Sequence, residues 1–374
     1  MKQIIFIFLL VLSTYISCKS KEEWKSRSIY QILTDRFART SDKGMCNYGY
    51  YCGGNYQGII QKLDYIKGMG FDVIWISPIV ENKEDAYHGY HLTNLYNLNT
   101  HFGSEDDFKA LISACHEKDI WVMVDVVANH VAPIGTDYSQ ITPFNSAEHY
   151  HDPCQINDWG NQWQVENCRL SDLPDLKQEN EWVTEKLVEW IHDLVSKYDL
   201  DGIRIDTIME VPKWFWDKFR ASAGVFQIGE AFHGDIDYVS DYQNHLDSVF
   251  NYPLYYSIES GFCGDLTHIE GYWFNNRPKY PNQNIPLLSL KTTIIQDFYI
   301  DAMTEVNLQM LSFLLFYGKV YQFSTMEENN ITQVEKIQIT ENHYGITIIL
   351  IVFYIKFLEK FMLLEKKLVF GIYL

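Results

Sequence analysis

Residues 198–210 read YDLDGIRIDTIME, an apolar run interrupted by Arg204 and Asp206. Side chains two apart on a strand share a face, so an arginine and a carboxylate stand together where Val, Ile or Leu is expected. Two charges on a buried face are costly unless they pair or take part in chemistry. A structural ion pair would meet that requirement, and so would a reaction site. A second carboxylate, Glu230, follows Ile228 and Gly229 at the end of the next apolar run, VFQIGEAF. One strand–helix–strand unit separates it from Asp206, which makes their strands neighbours about 4.8 Å apart. Retaining cleavage of a glycosidic bond uses two carboxyls about 5–5.5 Å apart, one attacking the sugar and one protonating the leaving oxygen. Arg204 beside Asp206 suits a charged nucleophile, whereas burial in an apolar strand would keep Glu230 protonated, as a general acid requires. The segment DAYHGYH (85–91) adds His88 and Tyr90, which suit bonding to sugar hydroxyls and stacking on a sugar ring. VMVDVVANH ends with Asp125, Asn129 and His130.

These residues need elements that bring them to one place. Apolar runs at 28–37, 72–79, 120–130, 202–207 and 225–232 read as strands, and 55–70, 104–119 and 180–199 read as helices. In the last of these, Val183, Leu187, Val188, Ile191 and Val195 form a stripe at helical spacing. Strands alternating with helices predict a parallel sheet, and polar residues at several strand ends predict a barrel whose chemistry sits at the strand C-termini. Residues 131–178 contain turn formers and no long periodic segment. That stretch is too long for an ordinary loop and reads as a small inserted domain.

The chain has 374 residues, of which 47% are hydrophobic, and a formal net charge of −19. A nucleic-acid binder needs a basic surface, so that class is disfavoured, and a neutral substrate such as a sugar is favoured over an anionic one. Residues 1–18 carry one lysine and an apolar run from Ile4 to Leu12, then small and polar residues. They read as a signal peptide of a secreted protein, and the run is too short for a membrane anchor. Secretion permits disulfides, and of seven cysteines the pairs Cys46–Cys52 and Cys154–Cys168 lie close together in loop-like stretches. Cys115 falls in a helical pattern and reads as a buried thiol.

The motifs SIYQILTDRFA, YCGGNYQGIIQKLDYIKGMGF, DAYHGY, VMVDVVANH, DLPDL, DGIRIDT, IGEAFHGD and NYPLYY, in this order, resemble the α-amylases of glycoside hydrolase family 13, the secreted fungal Taka-amylase type in particular. The resemblance runs from about Ser26 to Leu290. It implies a (β/α)8 TIM barrel, residues 19–130 and 179–290, with the small domain 131–178 inserted after the third strand. It implies a monomer that acts on α-1,4-glucan with retention. Asp206 would be the nucleophile, Glu230 the acid/base and Arg204 its electrostatic partner. His130 and His88 would bind the sugar beside the cleaved bond, with Tyr90 stacked on it. A calcium ion between barrel and insert would be held by Asn129, Glu166, Asp175 and the main-chain carbonyl of Glu210, oxygen ligands that suit Ca²⁺. Where fungal relatives have Lys-His after the nucleophile, this chain has Met209-Glu210.

The family also places a third carboxylate in an Asn-His-Asp segment that ends the seventh strand. This chain has KTTIIQDFYIDAM there. Asp297 lies nearby in the wrong local sequence. Read one base displaced, permitted codons for TTIIQDFY yield Asn-His-Asp-Asn-Pro-Arg-Phe-Leu, and those for GKVYQFSTM (318–326) yield Gly-Ile-Pro-Ile-Phe-Tyr-Tyr-Gly. Residues 291–374 are therefore expected to follow a shift of reading frame near Leu290–Lys291, leaving the barrel incomplete at its C-terminal end. A catalytically impaired carbohydrate- or calcium-binding remnant, or a related transglycosylase, fits the same motifs.

Overall fold

The apolar runs form strands, but each strand is shorter than its run. The computed structural model describes residues 19–41, 46–47, 49–263 and 267–283. The expected signal peptide, Asp297 and the segment 291–374 lie outside the described residues. The strands are β1 (Ile29–Ile32), β2 (Val73–Ile76), β3 (Val80–Asn82), β4 (Leu92–Leu98), β5 (Trp121–Val126), β6 (Gly202–Ile205), β7 (Phe226–Gly229) and β8 (Ser248–Val249). Six of them form one sheet in the order β1-β2-β5-β6-β7-β8, with every neighbouring pair parallel. β3 and β4 make a separate antiparallel pair. Each sheet strand lies beside the next one along the chain, which is barrel order; a doubly wound sheet would reverse at a switch point. Among the described residues six staves are present, so the curled sheet is an incomplete (β/α)8 barrel.

Local chemistry explains where the strands stop. β1 was expected to run to Phe37, yet Thr34–Phe37 turns into helix. There the buried Asp35 carboxylate accepts the main-chain N–H groups of Cys52 and Gly53, at 2.7 and 2.9 Å, folding the chain back on itself. The expected helix 55–70 is two pieces, Tyr56–Ile60 and Leu63–Gly68, because Lys62 leaves helical geometry at φ −109°, ψ 4°. The helices Glu105–Glu117 and Glu181–Tyr198 form as read. Ser104 and Asp107 make a reciprocal capping box for the first, and Asn180 caps the second. The helix Lys213–Ala223, the short strand β8 and the β3–β4 pair were not read from the sequence.

The barrel floor is closed from the N-terminus. Trp24 stacks on Phe226 with ring centroids 4.5 Å apart and meets Trp121 edge-on at 5.0 Å. A β-carbon at Gly202 would lie 2.7 Å from the Trp24 ring, so only glycine admits it. The insert leaves after β5 and returns where Asp175 bridges to His130. Between them it forms only short helical pieces, Tyr138–Gln140, Ala147–His149 and Gln162–Asn167. Both expected disulfides form, Cys46–Cys52 and Cys154–Cys168. Cys115 is a buried free thiol, and burial pushes its pKa up to about 12. No helix among the described residues is long and apolar enough to cross a membrane.

Candidate active site

Strand register brings the charged residues together. Asp125 on β5 pairs with Arg204 on β6, and Ile205 pairs with Gly229 on β7. Asp206 and Glu230 follow directly, their main-chain N–H groups donating to Val126 and Ile205 carbonyls at 2.9 Å each. The two carboxyls thus leave neighbouring staves at the same level. Thr207 then takes the left-handed conformation, φ 48°, which turns the chain off the strand. A β-carbon at Gly229 would lie 2.5 Å from Leu246 and 2.7 Å from Ile208, so the stave beneath Glu230 has no room for a side chain.

Arg204, only 2% exposed, holds three carboxylates. Its Nη1 donates to Asp125 Oδ1 at 2.9 Å and to Asp206 Oδ1 at 2.6 Å, and its Nη2 pairs with Glu230 Oε2 at 2.5 Å. Asp125 Oδ2 also accepts from Trp75 Nε1 at 3.1 Å and from the Tyr90 hydroxyl at 2.8 Å. Glu230 Oε1 accepts the Tyr252 hydroxyl at 2.8 Å. Burial opposes the arginine charge, but Asp125, Glu230, Tyr90 and Asp206 raise its pKa further still. One cation against three carboxyls leaves an excess of negative charge, which adds to burial in raising Glu230 and Asp125. Glu230 is raised above the usual carboxylate range, chiefly by burial, with the Asp206 charge and a hydrogen bond to Asp206 adding to it. Asp125 is raised as well, by burial first, against the pull of Arg204. A proton resting on Glu230 is the state that acid-assisted displacement starts from.

Around this hub stand neutral imidazoles. His130 Nε2 meets the Tyr90 carbonyl at 3.2 Å, and His88 Nδ1 accepts the Tyr90 N–H at 3.1 Å, so the two histidines clamp the Tyr90 backbone. Burial lowers both to about 4. Neutral rings that donate and accept suit hydroxyl groups rather than anions. The His88 and Tyr90 rings lie nearly parallel, 5.8 Å apart.

The expected calcium ligands are only partly assembled. The Asn129 carbonyl accepts the Leu176 N–H at 2.8 Å, which brings Asn129 beside Asp175. Asn129 Oδ1 and Asp175 Oδ1 are buried oxygens without a hydrogen-bond partner, a fit for a hard cation. The other Asp175 oxygen meets His151 Nδ1 at 2.7 Å. Glu166 turns instead to Gln162, whose Nε2 donates to it at 2.7 Å. Among the described residues no group of three acidic, histidine or cysteine side chains is placed to hold a metal. The Glu210 side chain is buried, with Oε2 unpartnered.

Two participants escaped the sequence reading. Asp125 carries the same signal as Arg204, a charge interrupting an apolar strand, and that signal alone assigns it no role. Tyr252 carried none, because a tyrosine in NYPLYY looks like packing.

Residues 31–264, more than half of the chain, match the family described as Alpha amylase, catalytic domain. An alpha-amylase of Saccharomycopsis fibuligera is 46% identical over 253 residues, 63% of this chain and 51% of that protein. Alpha-amylase 2 of Schwanniomyces occidentalis is 44% identical, covering 66% of this chain and 52% of that protein. The chain thus spans about half the length of these relatives. Among solved structures, an alpha-amylase from Malbranchea cinnamomea is 44% identical with a TM-score of 0.68, over 71% of this chain and 60% of that one. One from Geobacillus thermoleovorans, complexed with acarbose, is 32% identical with a TM-score of 0.69, over 79% of this chain and 68% of that one. Barrel order, carboxyls paired on neighbouring staves and a match spanning all of these residues agree: the chain belongs to the alpha-amylase catalytic-domain family.

Proposed function

We propose that the chain is the catalytic part of a secreted, monomeric α-amylase that cleaves internal α-1,4-glucosidic bonds of starch or glycogen with retention. The observation that carries this reading is the single buried guanidinium bridging Asp206 at 2.6 Å and Glu230 at 2.5 Å. In the first step an Asp206 oxygen bonds to the sugar C1 as the C1–O4 bond breaks, and Glu230 gives its proton to the leaving O4. In the second, water attacks C1, Glu230 takes the water proton and Asp206 is released. Asp125 and Arg204 hold both carboxyls in register, while His88, His130 and Tyr90 bind the sugar at the cleaved bond. Asn129 and Asp175 would hold calcium, with Glu166 and the Glu210 carbonyl completing the set, and the ion would fasten insert to barrel. The apolar leader and two disulfides support secretion.

Hydrolysis of starch by the purified chain, read as reducing ends, tests the proposal, with Asp206→Asn and Glu230→Gln as controls. Each variant is expected to lose several orders of magnitude in rate. The absence of an Asn-His-Asp segment from the sequence favours a second reading, a remnant that binds glucan without cleaving it. Release of no reducing ends above the Asp206→Asn level, with glucan binding retained, would establish the remnant instead.

A further inference from the structure

The Glu230 carboxyl leans on a later segment of the chain. The Phe250 N–H donates to the Gly229 carbonyl at 3.0 Å, so the chain leaving β8 runs beside the stave end that carries Glu230. Tyr252, two residues on, opens the helix Tyr252–Cys263. That start is held firmly by Asn251. Its Oδ1 accepts the Leu254 N–H at 3.1 Å, capping the helix, and the Tyr280 hydroxyl at 3.0 Å. Its Nδ2 donates to the Tyr272 hydroxyl at 2.6 Å, and Asn251, Tyr272 and Tyr280 are all buried. Phe232 meets the Tyr252 ring edge-on, with centroids 4.7 Å apart. From this fixed base the Tyr252 hydroxyl donates to Glu230 Oε1 at 2.8 Å.

A hydroxyl has one proton to donate, and Tyr252 gives it to Glu230. Arg204 divides its donors among Asp125, Asp206 and Glu230. We propose that Tyr252 is a positioning residue for the acid/base step: its hydroxyl sets the orientation of the Glu230 carboxyl and steadies the carboxylate that forms as the proton passes to the leaving O4. The reason lies in the charges around that carboxylate. Asp206 at the end of β6, Asp125 on β5 across Arg204, Glu210 on the turn after Asp206 and Tyr90 ahead of β4 surround it, with the Arg204 cation among them. Glu230 must shed a proton when the C1–O4 bond breaks and regain one from water when Asp206 is released. Burial and the Asp206 charge make it hold that proton firmly. A donated hydrogen bond favours the charged form and works the other way. The inference rests on the acid/base role given to Glu230 above and adds to it the residue that sets how readily the proton leaves.

Tyr252→Phe tests it, because phenylalanine keeps the ring against Phe232 and removes only the hydroxyl. Infrared titration of the full chain follows protonated carboxyls, and the same titration with Glu230→Gln in each background isolates the Glu230 band. The Glu230 midpoint is expected to rise by about one pH unit in Tyr252→Phe. In starch hydrolysis kcat should fall about tenfold with KM unchanged, and the alkaline limb of the kcat/KM profile should move up with the midpoint. An unmoved Glu230 midpoint, or a raised KM with kcat unchanged, would overturn the role of Tyr252 and leave the glucan reading standing. A parent that releases no reducing ends, while Tyr252→Phe still moves the midpoint, would overturn the hydrolytic reading and uphold the hold of Tyr252 on Glu230.

Discussion

Replacing Arg204 with methionine should destabilise the fold by about 3–5 kcal/mol, the usual effect of removing one partner from a buried ion pair. The structure supplies the terms. Three carboxyls lie within 2.5–2.9 Å of one guanidinium that is 2% exposed. Charge centres about 4 Å apart attract by about 4 kcal/mol at an effective dielectric near 20. With the proton on Glu230, two such contacts give about 8 kcal/mol gross, most of which offsets the dehydration of the ions. Methionine matches the stem in volume, so the loss comes from the carboxyls left to repel each other. Neutralising one of them should recover part of it. The Arg204→Met, Asp125→Asn pair is therefore expected to show a coupling of about 1–3 kcal/mol. Urea midpoints followed by tryptophan fluorescence measure this, provided the slope stays constant across the four proteins. The cost should shrink in acid as the carboxyls take up protons. Strict additivity of the two substitutions, or a cost for Arg204→Met below about 1 kcal/mol, would refute the view of Arg204 as the hub.

Gly229→Ala places a methyl group 2.5 Å from Leu246, and should lower the urea midpoint by an amount equivalent to about 1–3 kcal/mol. His116 lies 2.8 Å from the buried Asp201, and that hydrogen bond raises the imidazole above its ordinary value. Its contribution is thus full below a pH of about 6.5 and fades as pH rises through the raised native value. His116→Asn should therefore cost more at pH 5.5 than at pH 9 in paired urea melts, and equal costs would count against it. Calcium at about a hundred times its Kd should stabilise the wild type by about 2.7 kcal/mol in thermal melts. Asp175→Asn, which removes the negative charge and one of the two oxygens of a carboxylate whose Oδ1 is buried without a hydrogen-bond partner, should abolish most of that gain.

The staves and the buried pair of carboxyls, Asp206 and Glu230, were legible because burial and charge conflict there, and a charge inside an apolar strand stands out in a bare sequence. The order of the staves was legible because helices alternate with strands. Strand ends were not, because they depend on side chains far along the chain: Asp35 stops β1 by accepting N–H groups from Cys52 and Gly53. The helix Lys213–Ala223 went unread because aromatic Trp214, Phe215, Trp216 and Phe219 crowd its start and blur the stripe. β8 is two residues long and has no period to detect. The hydrogen bond from Tyr252 to Glu230 comes from packing of a later segment over the strand ends, which no spacing encodes.

Trp24 has one more consequence, for the order in which the protein is made. Its ring waits for Phe226, a partner some two hundred positions downstream. The segment that leaves the ribosome early is therefore among the last to find its place. Until β7 arrives, the indole has only its edge-on contact with Trp121 on β5, and closure over long chain separations is slow. Trp24 acts as a late-fitting stopper, and an attachment that delays it should slow folding before it touches the finished fold.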